Sequence, residues 1–216
     1  MLCVGTSVKS SQEAIEFAEA KANCYASIGV HPHDTKDGYD ITTLATQSSN
    51  VVAVGEIGLD YFYGHSPKEI QIAALKAQIE VALQHKLPII FHVRDAFDDF
   101  WPIFDSYSGI RGVLHSFTDS QQNMQRAIDK GLYIGVNGIS TFTKDPVQQA
   151  MFDAIPLDRI LLETDAPFLT PVPFRGKVNE PALVSAVAQH HASRRGISLE
   201  EVADATTTNA HALFAL

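Results

Sequence analysis

Short apolar runs recur along the chain, each ending in glycine or a polar residue and each followed by a helical pattern. They cover residues 2–6, 25–30, 51–57, 88–93, 112–115, 132–136 and 159–164. Their starts lie between 20 and 37 residues apart, the pace of a strand, a helix and two loops. The runs are rich in valine and isoleucine and mostly continuous, as parallel strands buried on both faces require. Between them the helices are well signed. Ser66-Pro-Lys-Glu69 predicts an N-cap, a proline in the first helical position and a capping-box glutamate. The helix that follows places Ile70, Ala73, Ala74, Ala77 and Val81 on one stripe. Ser10-Ser-Gln-Glu13 and Ser198-Leu-Glu-Glu201 repeat the box ahead of residues 14–22 and of Val202 onward, and Gly131 stands where a left-handed C-cap belongs after residues 122–130.

Seven strand–helix units admit a closed barrel or an open doubly wound sheet. No Gly-x-Gly-x-x-Gly follows an early strand, which argues against a dinucleotide-binding sheet. The reactive side chains fall at the carboxyl ends of several strands, and that favours a TIM-type (β/α) barrel. Such a barrel has eight strands and about 250 residues; seven predicted strands in 216 residues make this one incomplete. No linker or low-complexity tract divides the chain, so residues 1–216 read as a single domain.

Composition narrows the class. Lys and Arg number 16 against 25 Asp and Glu, a formal charge of −9, and 45% of residues are hydrophobic. That balance excludes a disordered chain and argues against a broad electrostatic grip on nucleic acid, while leaving a local, metal-assisted phosphate site open. No apolar run reaches the length of a bilayer span, and no secretory signal opens the chain. Two cysteines, Cys3 and Cys24, are too few for a disulfide framework; they fit buried thiols in a cytoplasmic protein.

Four predicted strand ends carry the chemistry: Glu56, His92, His115 and Asp165. In a barrel they converge on one mouth. Two imidazoles and two carboxylates suit zinc, manganese or magnesium, and a carboxylate such as Glu56 can bridge two ions that clamp a phosphodiester. Any one of these residues alone reads as readily as a hydrogen-bonded rim or turn residue; the fourfold coincidence favours a metal site.

Gly29-Val-His-Pro-His33, Gly55-Glu-Ile-Gly-Leu-Asp60, Phe91-His-Val-Arg-Asp95, Leu114-His-Ser-Phe117 and Leu162-Glu-Thr-Asp-Ala-Pro167 resemble the motif series of the TatD family. Gly176-Lys-Val-Asn-Glu-Pro181 and Thr206-Thr-Thr-Asn-Ala210 with Leu213-Phe214 are similar to its C-terminal signature, so the resemblance spans essentially the whole chain. It implies a metal-dependent deoxyribonuclease with an amidohydrolase-like barrel. It also implies that Glu56 bridges two metals, that His92 and His115 ligate one, and that Asp165 binds the other and helps activate water. The substrate expected is DNA, single-stranded by preference, with no membrane and no obligate protein partner.

The family's opening His-x-His strand has no counterpart here. The series starts at Met1-Leu-Cys-Val-Gly-Thr6, which resembles the second strand, and the only His-x-His, His31-Pro-His33, matches a separate family segment. The expectation is therefore that the first strand and helix are missing, through truncation or an internal start. Residues 2–6 and 160–164 would then present unpaired edges, partly covered by helices near 181–194 and 199–213. Glu56, His92 and His115 would hold one ion, Asp165 would hold a second poorly, and nuclease activity would be weak or absent. Hydrolysis of an ester or amide is a further alternative. His31 and His33 face substrate or form a solvated loop pair. Arg94 and Arg175 are candidate phosphate contacts, whereas Lys144 reads as a surface residue. Tyr61, Phe62 and Tyr63 either stack unpaired bases or pack their own loop; Trp101 and Phe104 are expected in the core.

Overall fold

The computed structural model describes residues 1–216. Strands and helices alternate as the pattern predicts, and seven strands are formed. The chain divides into two compact units, residues 1–113 and 114–216.

The first unit contains β1 (Leu2–Val4), α1 (Val8–Ala20), β2 (Tyr25–Ile28), β3 (Val51–Asp60), α2 (Lys68–His85), β4 (Ile89–Arg94) and α3 (Phe97–Asp105). The β1–β2, β2–β3 and β3–β4 pairs are all parallel. Strand β3 runs three residues beyond the predicted 51–57, and Gly58 is what allows it. A Cβ there would lie 1.7 Å from the His92 carbonyl oxygen, so only glycine lets β4 come this close. The β3–β4 register shifts between Val54 and Ile57, leaving Glu56 on the irregular stretch, as bulges beside functional sites do.

Two predicted helix starts move. Helix α1 begins at Val8, with Ser7 as N-cap and Ser10 closing the box reciprocally, rather than after Ser10. Ser66 does not cap α2, whose N-cap is Pro67 without a side-chain bond. Ser66 Oγ instead donates to the His33 carbonyl at 2.7 Å and receives Lys36 N–H at 3.2 Å, so its hydroxyl serves the loop before the helix.

The buried face of α2 also differs from the predicted stripe. Gln71, Ala74, Leu75, Gln78, Ile79 and Ala82 are buried, while Ala73 is exposed. The two glutamines are buried because each completes the hydrogen bonding of a loop backbone. Gln78 accepts from Val30 N–H at 2.7 Å and donates to its carbonyl at 3.2 Å. Gln71 accepts from Asp60 N–H at 2.8 Å and donates to the carbonyls of Asp60 and Ser66. Behind β4, Phe91 packs edge-on to Phe100 at 5.2 Å, and Trp101 and Phe104 are buried as expected. Cys3 and Cys24 are free thiols, half-buried rather than buried, because β1 and the turn before β2 lie near the surface.

β5 (Gly112–Leu114) brings the chain to the second unit, which holds α4 (Gln121–Asp129), β6 (Tyr133–Val136), α5 (Ile139–Phe142), α6 (Pro146–Ala154), β7 (Ile160–Leu162), α7 (Val184–Arg195) and α8 (Leu199–Phe214). β6 and β7 pair in parallel. Gly131, at φ 82°, ends α4 as predicted, and the Ser198–Glu201 capping box opens α8. Ala188, Ala192 and Val202 pack with Leu157, Leu162 and Ile197, seating α7 and α8 on β7. Asn209 of α8 donates to the carbonyls of Leu157 and Ile160, both at 2.9 Å, so a helix side chain serves the backbone at the start of β7. No helix is long and apolar enough to cross a membrane.

Candidate metal centre and substrate face

In the first unit, Glu56 and Asp60 lie on β3 and His92 on β4, with His31 and His33 in the loop after β2. Positions 56, 58 and 60 share a strand face, which aims both carboxylates the same way. His92 links them: its Nδ1 lies 2.7 Å from Glu56 Oε1 and its Nε2 lies 3.0 Å from Asp60 Oδ2. Asp60 is fully buried, and the same oxygen meets His33 Nε2 at 2.9 Å. Its other oxygen accepts the backbone N–H groups of Phe62 and Tyr63, each at 3.0 Å. Burial alone would push this carboxyl up. The bonds from His92, the Tyr63 backbone and His33 outweigh that and hold it well below the usual carboxylate range.

An ionised Asp60 accepts a hydrogen bond from His92 Nε2 and turns the ring so that Nδ1 faces Glu56. An imidazole and a carboxylate 2.7 Å apart make a donor set that suits a divalent cation. His31, Glu56 and His92 each offer a ligand atom, all within 4.8 Å of one another. His31 Nδ1 accepts the His33 backbone N–H at 3.2 Å, which puts its own proton on Nε2, 3.4 Å from Glu56 Oε1. The ring thus presents a donor rather than a free lone pair to the cluster. Burial, with His31 nearby, lowers the pKa of His33 against the pull of Asp60.

The second unit repeats the arrangement. His115, just after β5, has Nδ1 at 2.9 Å from Glu163 Oε2, and Glu163 Oε1 accepts Ser116 N–H at 2.7 Å. Asn137 braces the same corner, donating to Ser116 Oγ at 2.7 Å. Glu163 fits because residue 135 is glycine: a Cβ there would stand 2.8 Å from Glu163 Oε2. With Nδ1 donating to Glu163, His115 turns its Nε2 toward Asp165 Oδ1, 4.0 Å away. The loop bearing Asp165 is tied down by buried Asn179, which donates to the carbonyls of Thr164 and Phe168.

Each predicted ligand is therefore placed beside another: Glu56 beside His92, His115 beside Asp165. His31 joins the first pair directly, and His33 reaches it through Asp60. The strand-end reading gave no role to Asp60 or Glu163, the carboxylates that orient the two imidazoles. Carboxylate–imidazole–metal relays of this kind set ring tautomer and direction. Arg94 ends β4 with its guanidinium 3.9 Å over the Phe62 ring. Arg175 donates to the Thr170 carbonyl at 2.8 Å and lies over Phe142, and Lys144 is exposed. Tyr61 separates from its two neighbours in sequence: its hydroxyl donates to Asp99 at 2.8 Å and Lys68 lies over its ring. That loop-packing role is one of the two expected for the aromatic cluster.

Parallel strands that end in imidazole–carboxylate pairs, each backed by a second carboxylate, define a metal-dependent hydrolase of the TIM-type α/β class. The family model described as TatD related DNase matches residues 1–215, and the chain belongs to that family. The match begins at the first residue and takes in all seven strands, so the expectation that a first strand and helix are missing is not supported. The "Uncharacterized metal-dependent hydrolase YabD" of Bacillus subtilis is 39% identical over 99% of this chain and 86% of its own. The "3'-5' ssDNA/RNA exonuclease TatD" of Salmonella typhimurium is 35% identical, with the same coverage. Among solved structures, YJJV, a TatD homolog from Escherichia coli K12, superposes with a TM-score of 0.92 at 29% identity, covering 100% of this chain and 86% of that one.

Proposed function

We propose that the protein hydrolyses phosphodiester bonds in single-stranded DNA or RNA with the help of divalent cations. The observation that carries this is the cluster of His31, Glu56 and His92, whose candidate ligand atoms all lie within 4.8 Å of one another, with Asp60 holding the His92 ring from behind. The activity named for the Salmonella relative supports the choice of substrate. In this reading Glu56 and His92 in the first unit, and His115 and Asp165 in the second, are metal ligands for magnesium, manganese or zinc. Bound cations of this kind polarise the phosphoryl group and acidify water, so that attack proceeds near neutral pH.

The remaining work falls to side chains of the chain itself. Asp60 and Glu163 hold the imidazoles of His92 and His115 in the ligating tautomer. Asp165, half-exposed, accepts the proton released as water attacks phosphorus. His31, with its proton on Nε2, donates a hydrogen bond to a phosphoryl oxygen, and His33 lines the same approach. Arg94 contacts a backbone phosphate; Arg175 does the same with the N–H groups not given to Thr170. Such contacts position the strand without reading its sequence. Two free cysteines support a reducing, cytoplasmic setting.

The test is degradation of a 5′-labelled single-stranded oligonucleotide with magnesium or manganese, beside the Glu56→Ala variant. Metal-dependent shortening that falls to background in Glu56→Ala is the expected result. Equal shortening by the variant would assign the activity elsewhere, and turnover of ester or amide substrates alone would replace the phosphodiester.

A further inference from the structure

We infer that Phe62 and Tyr63 form a stacking platform for one unpaired nucleobase next to the bond that is cut, with Arg94 clamped beside them for the adjoining phosphate. This deepens the phosphodiesterase reading and rests on it. Three observations carry it.

Both rings are left in water. Phe62 is 56% exposed and Tyr63 53%, although they follow a strand that is buried from Ala53 to its last residue, Asp60. Tyr61, from the same tripeptide, is half-buried and committed to Asp99 and Lys68, so packing of the loop is already served without its neighbours.

The rings are also held in place. Asp60 Oδ1 accepts the backbone N–H of both residues at 3.0 Å. The Phe62 and Tyr63 rings meet edge to face at 4.8 Å, and Tyr63 stacks on His65 with an interplanar angle of 10°. The Arg94 guanidinium lies 3.9 Å from the Phe62 ring and 4.9 Å from Tyr63. A rigid aromatic face beside a fixed cation matches the two halves of a nucleotide, a base with a π-face and an anionic phosphate.

The platform adjoins the metal cluster. The Tyr63 ring is 5.3 Å from His33, which contacts the same Asp60 oxygen as His92. A base resting there belongs to a nucleotide whose phosphate is within reach of Glu56 and His92. Because every base offers a π-face, the platform accepts any of the four, and because a paired base is already stacked in its duplex, it selects single strands.

The test is equilibrium binding in EDTA, where no cleavage occurs. The probes are fluorescent single-stranded oligothymidylates, intact or carrying one abasic residue at successive positions from the 3′ end. The wild-type protein is expected to bind the intact strand about tenfold more tightly than the strand abasic at one particular position. 2-Aminopurine at that position is expected to be quenched on binding. In Phe62→Ala/Tyr63→Ala the ratio falls to about one and the quenching disappears; Phe62→Leu, which keeps an apolar side chain without a π-face, moves the same way. A wild-type ratio of one at every position, a ratio that survives in the double variant, or no binding of either strand overturns the platform. Metal-dependent cleavage is scored separately. Base-dependent binding without cleavage leaves the platform standing and removes the phosphodiesterase reading, and cleavage without base dependence does the reverse.

Discussion

At the scale of single residues, the proposed metal centre places carboxylates behind its imidazoles, where they need not touch a metal. Glu163 accepts hydrogen bonds from His115 Nδ1 and Ser116 N–H, and so orients the ring. Replacing it with glutamine keeps the volume and removes the charge. Glu163→Gln is expected to weaken manganese binding by about 10–100-fold in a calorimetric titration, the range seen when a partner behind a ligating histidine is lost. Unchanged affinity would mean that His115 orients itself. The sequence singled out Glu56, His92, His115 and Asp165 because each stands at or just beyond the close of an apolar run, and the structure sets them in two neighbouring pairs. In the structure Asp60 is the last residue of β3 and Glu163 directly follows β7, whereas Glu56 lies inside β3. The apolar runs misplace those two ends, and a rule built on them passes over both carboxylates. Spacing held the clue: Asp60 follows Glu56 by four residues on one strand face, and Glu163 precedes Asp165 by two.

At the scale of elements, the strands were legible and one helix face was not. Apolar runs fixed six of the seven strands closely, since continuous burial leaves a continuous apolar signature. Helix α2 misled because its buried face is partly polar. Gln71 and Gln78 supply the hydrogen bonds that the Asp60 and Val30 backbones lack, a function that periodicity cannot register. Gln71→Leu leaves the N–H and carbonyl of Asp60 without these bonds, and is expected to cost about 2 kcal/mol or more in thermal or urea unfolding. Ala73→Ser, on the face that the pattern assigned to the core, should change stability by less than about 0.5 kcal/mol because Ala73 is exposed. Comparable losses for the two variants would show that the glutamines do no more than fill space. The capping serines divide the same way: Ser198 was readable from its box, whereas Ser66 answers to a loop 33 residues upstream.

For the molecule as a whole, acid sensitivity should come partly from a buried histidine of the second unit. His191 is buried on α7, with Nε2 3.1 Å from Ser140 Oγ and Nδ1 unpaired. Burial, helped by His190 and Arg195, lowers its pKa to about 3. The unfolded chain binds that proton near pH 6.5 and the folded chain resists it, so the contribution is full above pH 6.5 and is lost as pH falls toward 3. By pH 4 the loss is on the order of 3 kcal/mol. Urea titrations from pH 7 to pH 4 should therefore give a shallower decline for His191→Gln than for wild type. Parallel declines would assign acid unfolding to the carboxylates alone. Fold class was legible at this scale because the spacing of strands and helices is a property of the whole chain.

Asp60 grips residues 62 and 63 by their main-chain amides and leaves the identity of both side chains open. The aromatic pair is thus an exchangeable fitting on a fixed mount. Substitutions at these two positions can retune what the protein prefers to grasp while the mount, and the imidazole it shares with Glu56, stays as it is. Selection or a protein engineer could diversify the one without rebuilding the other.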